Sequence, residues 1–599
     1  MKVFLAIAVC KVLYFVGKLV GKGSSLPGQM ALMVCPDVLK RLRLPGIIIA
    51  VTGSNGKTST TELIARALES SGMSVGWNHE GANQVEGVAT LLLRIATFGG
   101  TVRRDALVLE CDERYARVTF RDVRPSVVVV TNLCRDQLTR NGHPEFIQDC
   151  IRVAIETCQA DVEGGASAPR AGHGARDRSL LRLVLNADDP YVAALAGAAA
   201  CDIGGNCGRD AVLLEAGVGT DADDGSGEVG ADADAIYGGP TPAALWFGVG
   251  RSLQSTPRGI SSSLQSATRG TSSPLQSATR GISSSHQSTT CGINCEMYDD
   301  GAFCPVCKGR MTYEYRVAGH FGDYDCSGCG LSRPEPEIEI SGIDYQTGEV
   351  TIISRSPQRS VFSAFRAPGP SPSAPGPSPQ APCPSPQAPG APPQAPGSPP
   401  RRVGPSPRAP GSPRSAITTR LTFPSLTGAY NLAAAIAAAV AVGVSAEDAA
   451  RGLDGFELSG GRTIRFSTAG RQGILLVSKH ENSLSYNQSL SWISGRGTPC
   501  TVIVLVDSIS RKYYTSETSW LWDVDFDILA NESVRNVVLA GRYVNELAAR
   551  FVMSDVEPGR ISHIGDLGGL REYVVSATAG DIYAITCFSD KGKLIKVFE

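Results

Sequence analysis

GIIIAVTGSNGKTSTTELIARALESSG, residues 46–72, runs from an apolar stretch, Ile47 to Val51, through a glycine-bearing loop into a helical pattern that opens near Lys57. That order predicts a buried strand whose following helix aims its free amides at the loop, where an anion is held. Gly53 and Gly56 let the backbone approach phosphate, Lys57 reaches terminal phosphates, and Thr58 can ligate Mg²⁺. Thr52, Gly53, Ser54, Asn55, Gly56, Lys57 and Thr58 are therefore the expected ATP loop. Val51 stands where the commonest loop of this kind has its first glycine.

Outward from the loop the strand pattern repeats. DALVLECDE ends a strand at Glu110, with Asp112 and Glu113 just beyond. SVVVVTNLCRDQL offers a strand from Ser126 to Val130, then Thr131-Asn132 and Asp136-Gln137. LVLNADDP, 183–190, is a fourth parallel strand with a carboxylate turn. Buried strands alternating with helices predict a parallel α/β sheet with ligands at the carboxyl ends of its strands. Most of these carboxylates are expected to be solvated loop charges; Glu110 is favoured as functional by its place at a strand end.

The 599 residues overstate the folded machine. Gly and Pro number 66 and 37, together about 17 % of the chain and below the ~25–30 % of a wholly disordered polymer, so the excess is concentrated. An 11-residue unit recurs from Leu253, with Leu264, Leu275 and His286 in the same column and Arg258, Arg269, Arg280 and Cys291 in another. A second block, with Ala367, Ala374, Ala381, Ala388, Ala395 and Ala409 opening APGPSPQ-like units, favours extended polyproline. Both are expected to be disordered inserts, and 218–240 a loop. A net charge of -2, from 56 Lys+Arg and 58 Asp+Glu, excludes a strongly basic nucleic-acid coat.

Of the 17 cysteines most sit in apolar runs, and Cys291 and Cys383 are column changes in the repeats. CPVC at Cys304 and Cys307 and CSGC at Cys326 and Cys329 remain, 18 residues apart. This spacing predicts a tetrahedral four-thiolate zinc ribbon, structural because no open position is left. Cys295 and His320 are the substitutes if one thiolate is not a ligand. Val3 to Cys10 has the look of a short signal peptide, but Lys11 and Lys18 follow with Leu13, Tyr14, Val16 and Leu19 at helical spacing and no cleavage site. A helix lying on the protein or on a membrane surface is expected.

TGSNGKT, residues 52–58, resembles the Mur ligase and folylpolyglutamate synthase superfamily. LECDE, TNLCRDQLTRNG, LNADDP, HFGDYDCSGCGLSRP, LTGAYNLAAAIAA and SWLWDVDFDIL together resemble its MurT-type subunits, over nearly all of the chain outside the inserts. The resemblance implies a Mur ligase-like protein without the usual UDP-substrate domain, paired with a GatD-type glutamine amidotransferase and acting on lipid II with ATP and glutamine. It implies Mg²⁺ on Thr58 and Glu110, with Lys57 and Glu110 catalytic and Asn132, Asn431 and Arg462 contacting nucleotide. It further implies an acidic residue lent to the partner's Cys/His pair, for which Asp507 is nearest, with Glu517 or Asp523 as alternatives. The chain departs from the family pattern at Ala434, at Ile464 and in KHENSLSYN, 479–487, where Lys479 is kept and a proline lost.

The expected organisation is a helical segment, 1–45; a Mur ligase-type ATPase domain, 46–250; the Ser-rich insert, 251–290; the ribbon, 291–335; return strands, 336–366; the Pro-rich insert, 367–415; the end of the ATPase domain, 416–463; and a smaller Rossmann-like α/β domain, 464–599. Two other functions remain open at this point: an amino-acid-adding Mur ligase or folylpolyglutamate synthase-like enzyme acting alone, and a non-catalytic scaffold. A cytoplasmic protein is expected, with peripheral membrane contact through the first helix.

Overall fold

The computed structural model describes residues 1–19, 25–79, 82–134, 143–163, 181–197, 243–250, 301–345, 347–355, 414–422, 424–459, 463–478, 482–508 and 518–599. The Ser-rich insert, the Pro-rich insert up to residue 413, the 218–240 stretch, Asp136-Gln137, Cys291, Cys295, Cys383, Arg462, Lys479 and Glu517 lie outside the described residues; Arg414 and Ser415, expected to end the Pro-rich insert, instead open a strand because they pair with the strand before it.

The opening strand of the ATP loop, β1 (Ile47–Thr52), lies third from one edge of a nine-stranded sheet. Its neighbours are β3 (Ala106–Glu110) and β4 (Val127–Val130), both parallel to it, with β2 (Val75–Trp77) at that edge. On the other side β5 (Arg182–Asn186), β6 (Ala243–Val249) and β9 (Ile338–Ile343) continue in parallel. The strands read as unbroken Val/Ile/Leu runs because helices cover both faces, and β3, β4 and β5 are buried throughout. The sheet is not wholly parallel: β10 (Glu349–Arg355) and β11 (Arg414–Arg420) close it antiparallel, β9 and β10 being joined by a short connection.

Between β6 and β9 the chain leaves the sheet for a separate antiparallel hairpin, β7 (Met311–Ala318) and β8 (Phe321–Cys326), which carries two of the four ribbon cysteines at or beyond its end. The alanine-rich helix Leu426–Ala441, capped by Ser425 accepting from the Gly428 amide at 3.0 Å, is buried along most of its length against the sheet. Small side chains let it lie close to the helix Lys57–Ser70.

A second sheet of six strands follows: β12 (Thr463–Thr468), β13 (Arg471–Ser478), β17 (Asp581–Cys587), β14 (Cys500–Leu505), β15 (Val534–Ala540) and β16 (Ile561–Ile564), in that spatial order. Only β12 runs antiparallel to its neighbour. Two apolar clusters sandwich it, one around Tyr486, Trp520 and Phe526, the other around Ile503, Leu570 and Phe598.

Candidate nucleotide and metal sites

The loop after β1 is held open by its neighbours. Gly53 and Gly56 have φ of +123° and +80°, which side chains disfavour. A Cβ at Gly53 would meet Thr131 Oγ1 at 2.4 Å, and one at Gly56 would meet Asn431 Oδ1 at 2.2 Å. The Ser54 amide donates to the Asn132 carbonyl at 2.8 Å, and the Asn132 side chain clasps the Asn55 backbone, accepting from its amide at 3.0 Å and donating to its carbonyl at 3.1 Å. Thr131 Oγ1 donates to the same carbonyl at 2.6 Å. Asn132 thus braces the loop, and Asn431 accepts from Thr60 Oγ1 at 3.3 Å. The two asparagines expected at nucleotide shape the cradle itself.

Lys57 is buried at the first turn of its helix and makes a 2.5 Å ion pair with Glu113, while its ammonium also donates to the Gly53 carbonyl at 2.5 Å. Glu110 takes a different position. Its amide donates to Asn78 Oδ1 at 2.8 Å and its Oε1 accepts from Asn83 at 3.2 Å. Burial holds its carboxyl above the usual carboxylate range, against the pull of Lys57 and of hydrogen bonds from Thr58 and Asn83. Glu110 Oε2 is buried without a hydrogen-bond partner. A buried carboxylate oxygen left unsatisfied beside a hydroxyl and a lysine fits a divalent cation, and Thr58 and Glu110 are the residues that would hold it.

Most of the other carboxylates expected in solvent are not there. Asp112, Glu113, Asp188 and Asp189 are all buried. Asp188 Oδ1 accepts from the Arg333 guanidinium at 2.6 Å, while its Oδ2 accepts from Tyr430 Oη at 2.6 Å and from the Val249 amide at 2.7 Å. Asp189 caps the next helix through the Tyr191 amide and takes the Leu133 amide at 2.7 Å. These are structural anchors: a charge removed from water needs such partners, and no solvated loop supplies them.

The same anchors seat the ribbon. The Gly322 amide donates to the Asp188 carbonyl at 2.9 Å and Tyr324 Oη to the Ala187 carbonyl at 3.1 Å. Cys304, Cys307, Cys326 and Cys329 bring their sulfurs within 4.8 Å of one another, the shortest pairs being Cys307–Cys326 at 3.5 Å and Cys304–Cys329 at 3.6 Å. The Val306 and Gly309 amides point at Cys304 and Cys307 sulfurs, each at 3.4 Å. Four convergent thiols with amide support fit a tetrahedral zinc. His320 lies apart from this cluster, 3.3 Å from Asp189.

Two residues absent from the sequence expectations reach the site. Asn482, fully buried, caps the helix Ser483–Gly495 by accepting from the Ser485 amide at 2.8 Å and donates to Asn55 Oδ1 at 2.7 Å. The second domain thereby touches the ATP loop; the place of Asn482 within KHENSLSYN was the only sequence signal. Glu113, noted only as lying beyond a strand, is the other. Asp507, by contrast, is already engaged: its Oδ1 accepts from the Arg542 amide at 2.8 Å and its Oδ2 from Lys593. Lys593 also pairs with buried Asp590 at 2.8 Å, and Asp590 takes the Asp507 and Ser508 amides.

Comparison with known proteins agrees with this geometry at both ends of the chain. The Mur ligase middle domain model matches residues 51–149, and the MurT ligase C-terminal model matches 480–589. At these two segments the chain is similar to the Mur ligase family, and at the second to its MurT branch. It is 21% identical over 561 residues to the MurT subunit of the lipid II isoglutaminyl synthase (glutamine-hydrolyzing) of Staphylococcus aureus (strain N315), covering 93% of this chain and 89% of that one. The corresponding subunit of Streptococcus pneumoniae (strain ATCC BAA-255 / R6) is likewise 21% identical, covering 96% and 92%. Among solved structures, a pseudomurein peptide ligase type C from Methanothermus fervidus superposes with a TM-score of 0.52 at 15% identity, over 94% of this chain and 80% of that one. MurF from Acinetobacter baumannii gives 0.51 at 13%, over 95% and 80%. These two likenesses concern the fold.

Proposed function

We propose that this MurT-type chain is the ATP-dependent ligase subunit of a lipid II amidating pair. It would activate the α-carboxyl of D-glutamate in the stem peptide for amidation to D-isoglutamine, with ammonia from a GatD-type glutamine amidotransferase. The observation that carries the reading is the buried, unsatisfied Glu110 oxygen beside Thr58 and Lys57 on a braced ATP loop, in a chain similar along its length to MurT subunits.

A carboxylate is a poor acyl donor because its oxide leaves badly, so the γ-phosphoryl of ATP is transferred to it first, giving an acyl phosphate and ADP. Positioning and charge neutralisation do most of the work in such a transfer. Lys57 releases loop carbonyls and Glu113 to meet phosphate oxygens, and the Gly53–Thr58 amides line the same anion. Thr58 and Glu110 would hold Mg²⁺, which supplies neutralisation of the triphosphate. Ammonia then attacks the acyl carbon and phosphate leaves. Contact between the second domain and the loop, through Asn482, suits a cleft that keeps water from the acyl phosphate. Asp507 would assist the partner's nucleophile only on giving up Lys593. A cytoplasmic location facing the inner membrane surface goes with a polyprenyl-linked substrate.

The test is co-purification with a glutamine amidotransferase, followed by assay of glutamine- and ATP-dependent amidation of lipid II. Amidation lost in Lys57→Ala supports the reading. No ATP turnover by the pair, or turnover indifferent to Lys57→Ala, overturns it.

A further inference from the structure

We infer that the first two helices form a docking surface for an anionic bilayer. The helix Lys2–Leu19 carries apolar residues on two opposite stripes. One stripe, Ala6, Ile7 and Cys10, is fully buried in the core that includes the helix Val85–Ile95. Lys11 fastens it by donating to the Arg94 carbonyl at 2.8 Å, and Arg94 donates to Tyr14 Oη at 2.8 Å. The other stripe, Phe4, Leu5, Val12, Phe15, Val16 and Leu19, lies in water, with Phe15 and Leu19 exposed to 68% and 76%. At a helical period these positions fall on the face opposite Ala6, Ile7 and Cys10. Folding is served by the buried stripe alone, so an apolar second face marks an interaction surface.

The next helix, Leu26–Val34, repeats the arrangement. Gly28 and Ala31 are buried, and a Cβ on Gly28 would meet the Glu86 carbonyl at 1.9 Å. Leu26, Met30 and Met33, spaced i, i+4, i+7, are exposed. Phe98, also exposed, extends the patch with its ring 5.2 Å from that of Phe4.

Charge selects the occupant. Asp37 is the first acidic residue of the chain, and Lys2, Lys11, Lys18 and Lys22 precede it. At a helical period Lys11 and Lys18 flank the exposed stripe on one side and Lys2 on the other. Lys11 is held by the Arg94 carbonyl, whereas the stems of Lys2 and Lys18 can lie along the apolar face while their ammonium groups reach lipid phosphates. A second copy docking by the same patch would set lysine against lysine. No described helix is long and apolar enough to cross a membrane, so this surface lies on one.

The packed face of the first helix, opposite the exposed stripe, adjoins the candidate site. Tyr14 and Arg94 line a cleft with Asn78, His79 and Thr90, and Asn78 bonds the Glu110 backbone at both its amide and its carbonyl.

The test is sedimentation of the purified full chain with phosphatidylcholine vesicles, with and without about 30 % phosphatidylglycerol. The wild type is expected to pellet with the anionic vesicles, and F15S/L19S to partition roughly tenfold more weakly or worse. Both residues are exposed, so melting temperature and vesicle-free ATP turnover stay as in the wild type. Should that variant misfold, K2E/K18E, which keeps the stripe, must weaken binding to the anionic vesicles. The inference is overturned if the wild type stays in the supernatant, if the properly folded variants bind as well as the wild type, or if a wild-type dimer dissociates in F15S/L19S, which would assign the stripe to a second copy.

Discussion

Glu113 changes what Lys57 means at the scale of single residues. A lysine buried at a helix start needs a counter-charge, and Glu113 provides it at 2.5 Å while Glu110 keeps a buried oxygen without a hydrogen-bond partner. Two neighbouring carboxylates thus have different surroundings, a difference no spacing rule announces, because it depends on which way each side chain turns after β3. Lys57→Ala is expected to lower ATP turnover about 10²-fold or more, since the lost charge stabilises the transferring phosphoryl; steady-state kinetics of the purified pair checks it. Asp525 offers a test of folding alone. Burial, with Asp527 beside it, raises its carboxyl to about 6. The folded chain therefore holds a proton there that the unfolded chain has lost, so the group's contribution is fully present below about 4 and disappears as pH rises through 6. Asp525→Asn should stabilise the chain by about 1–2 kcal/mol at pH 7 and by little at pH 3.5 or so, read from denaturant unfolding. The loop residues 52–58 were legible in the sequence because their chemistry is local; the burial of Asp188 and Asp525 was not, because it comes from segments remote in the chain.

Among elements, the ribbon and the Asp188 turn have to be considered together. Spacing alone identifies the four cysteines, because two short knuckles fix the distance between thiolates. Where the hairpin docks is decided by Asp188, which binds Arg333, Tyr430 and the β6 backbone at once. Asp188→Asn leaves Arg333 as an uncompensated buried cation, and a loss of about 3–5 kcal/mol is expected from unfolding experiments. Zinc content of the purified chain should be near one per molecule, and Cys326→Ser or a strong chelator should lower the melting temperature. A zinc-free protein with an unchanged melting temperature would refute the metal site.

For the whole molecule the informative contact is Asn482 to Asn55, by which the six-stranded domain reaches the ATP loop of the nine-stranded one. Asn482→Ser keeps a good helix cap but cannot span the gap. It is expected to leave the melting temperature nearly unchanged and to reduce kcat/KM for ATP by about two- to tenfold, the worth of one hydrogen bond. The amino-acid sequence by itself determined the alternation of strands and helices, the ATP loop, the four-thiolate cluster and the family resemblance, since each is written in neighbouring residues or in a fixed spacing. Only the tertiary structure decided that Lys57 pairs with Glu113, that Asp188 and Asp189 are internal anchors, that Asp507 is held by Lys593, and that the first helix is apolar on two opposite faces with one left in water. Hydrogen bonds and ion pairs between distant segments depend on side-chain direction and desolvation, which appear only when the chain is folded.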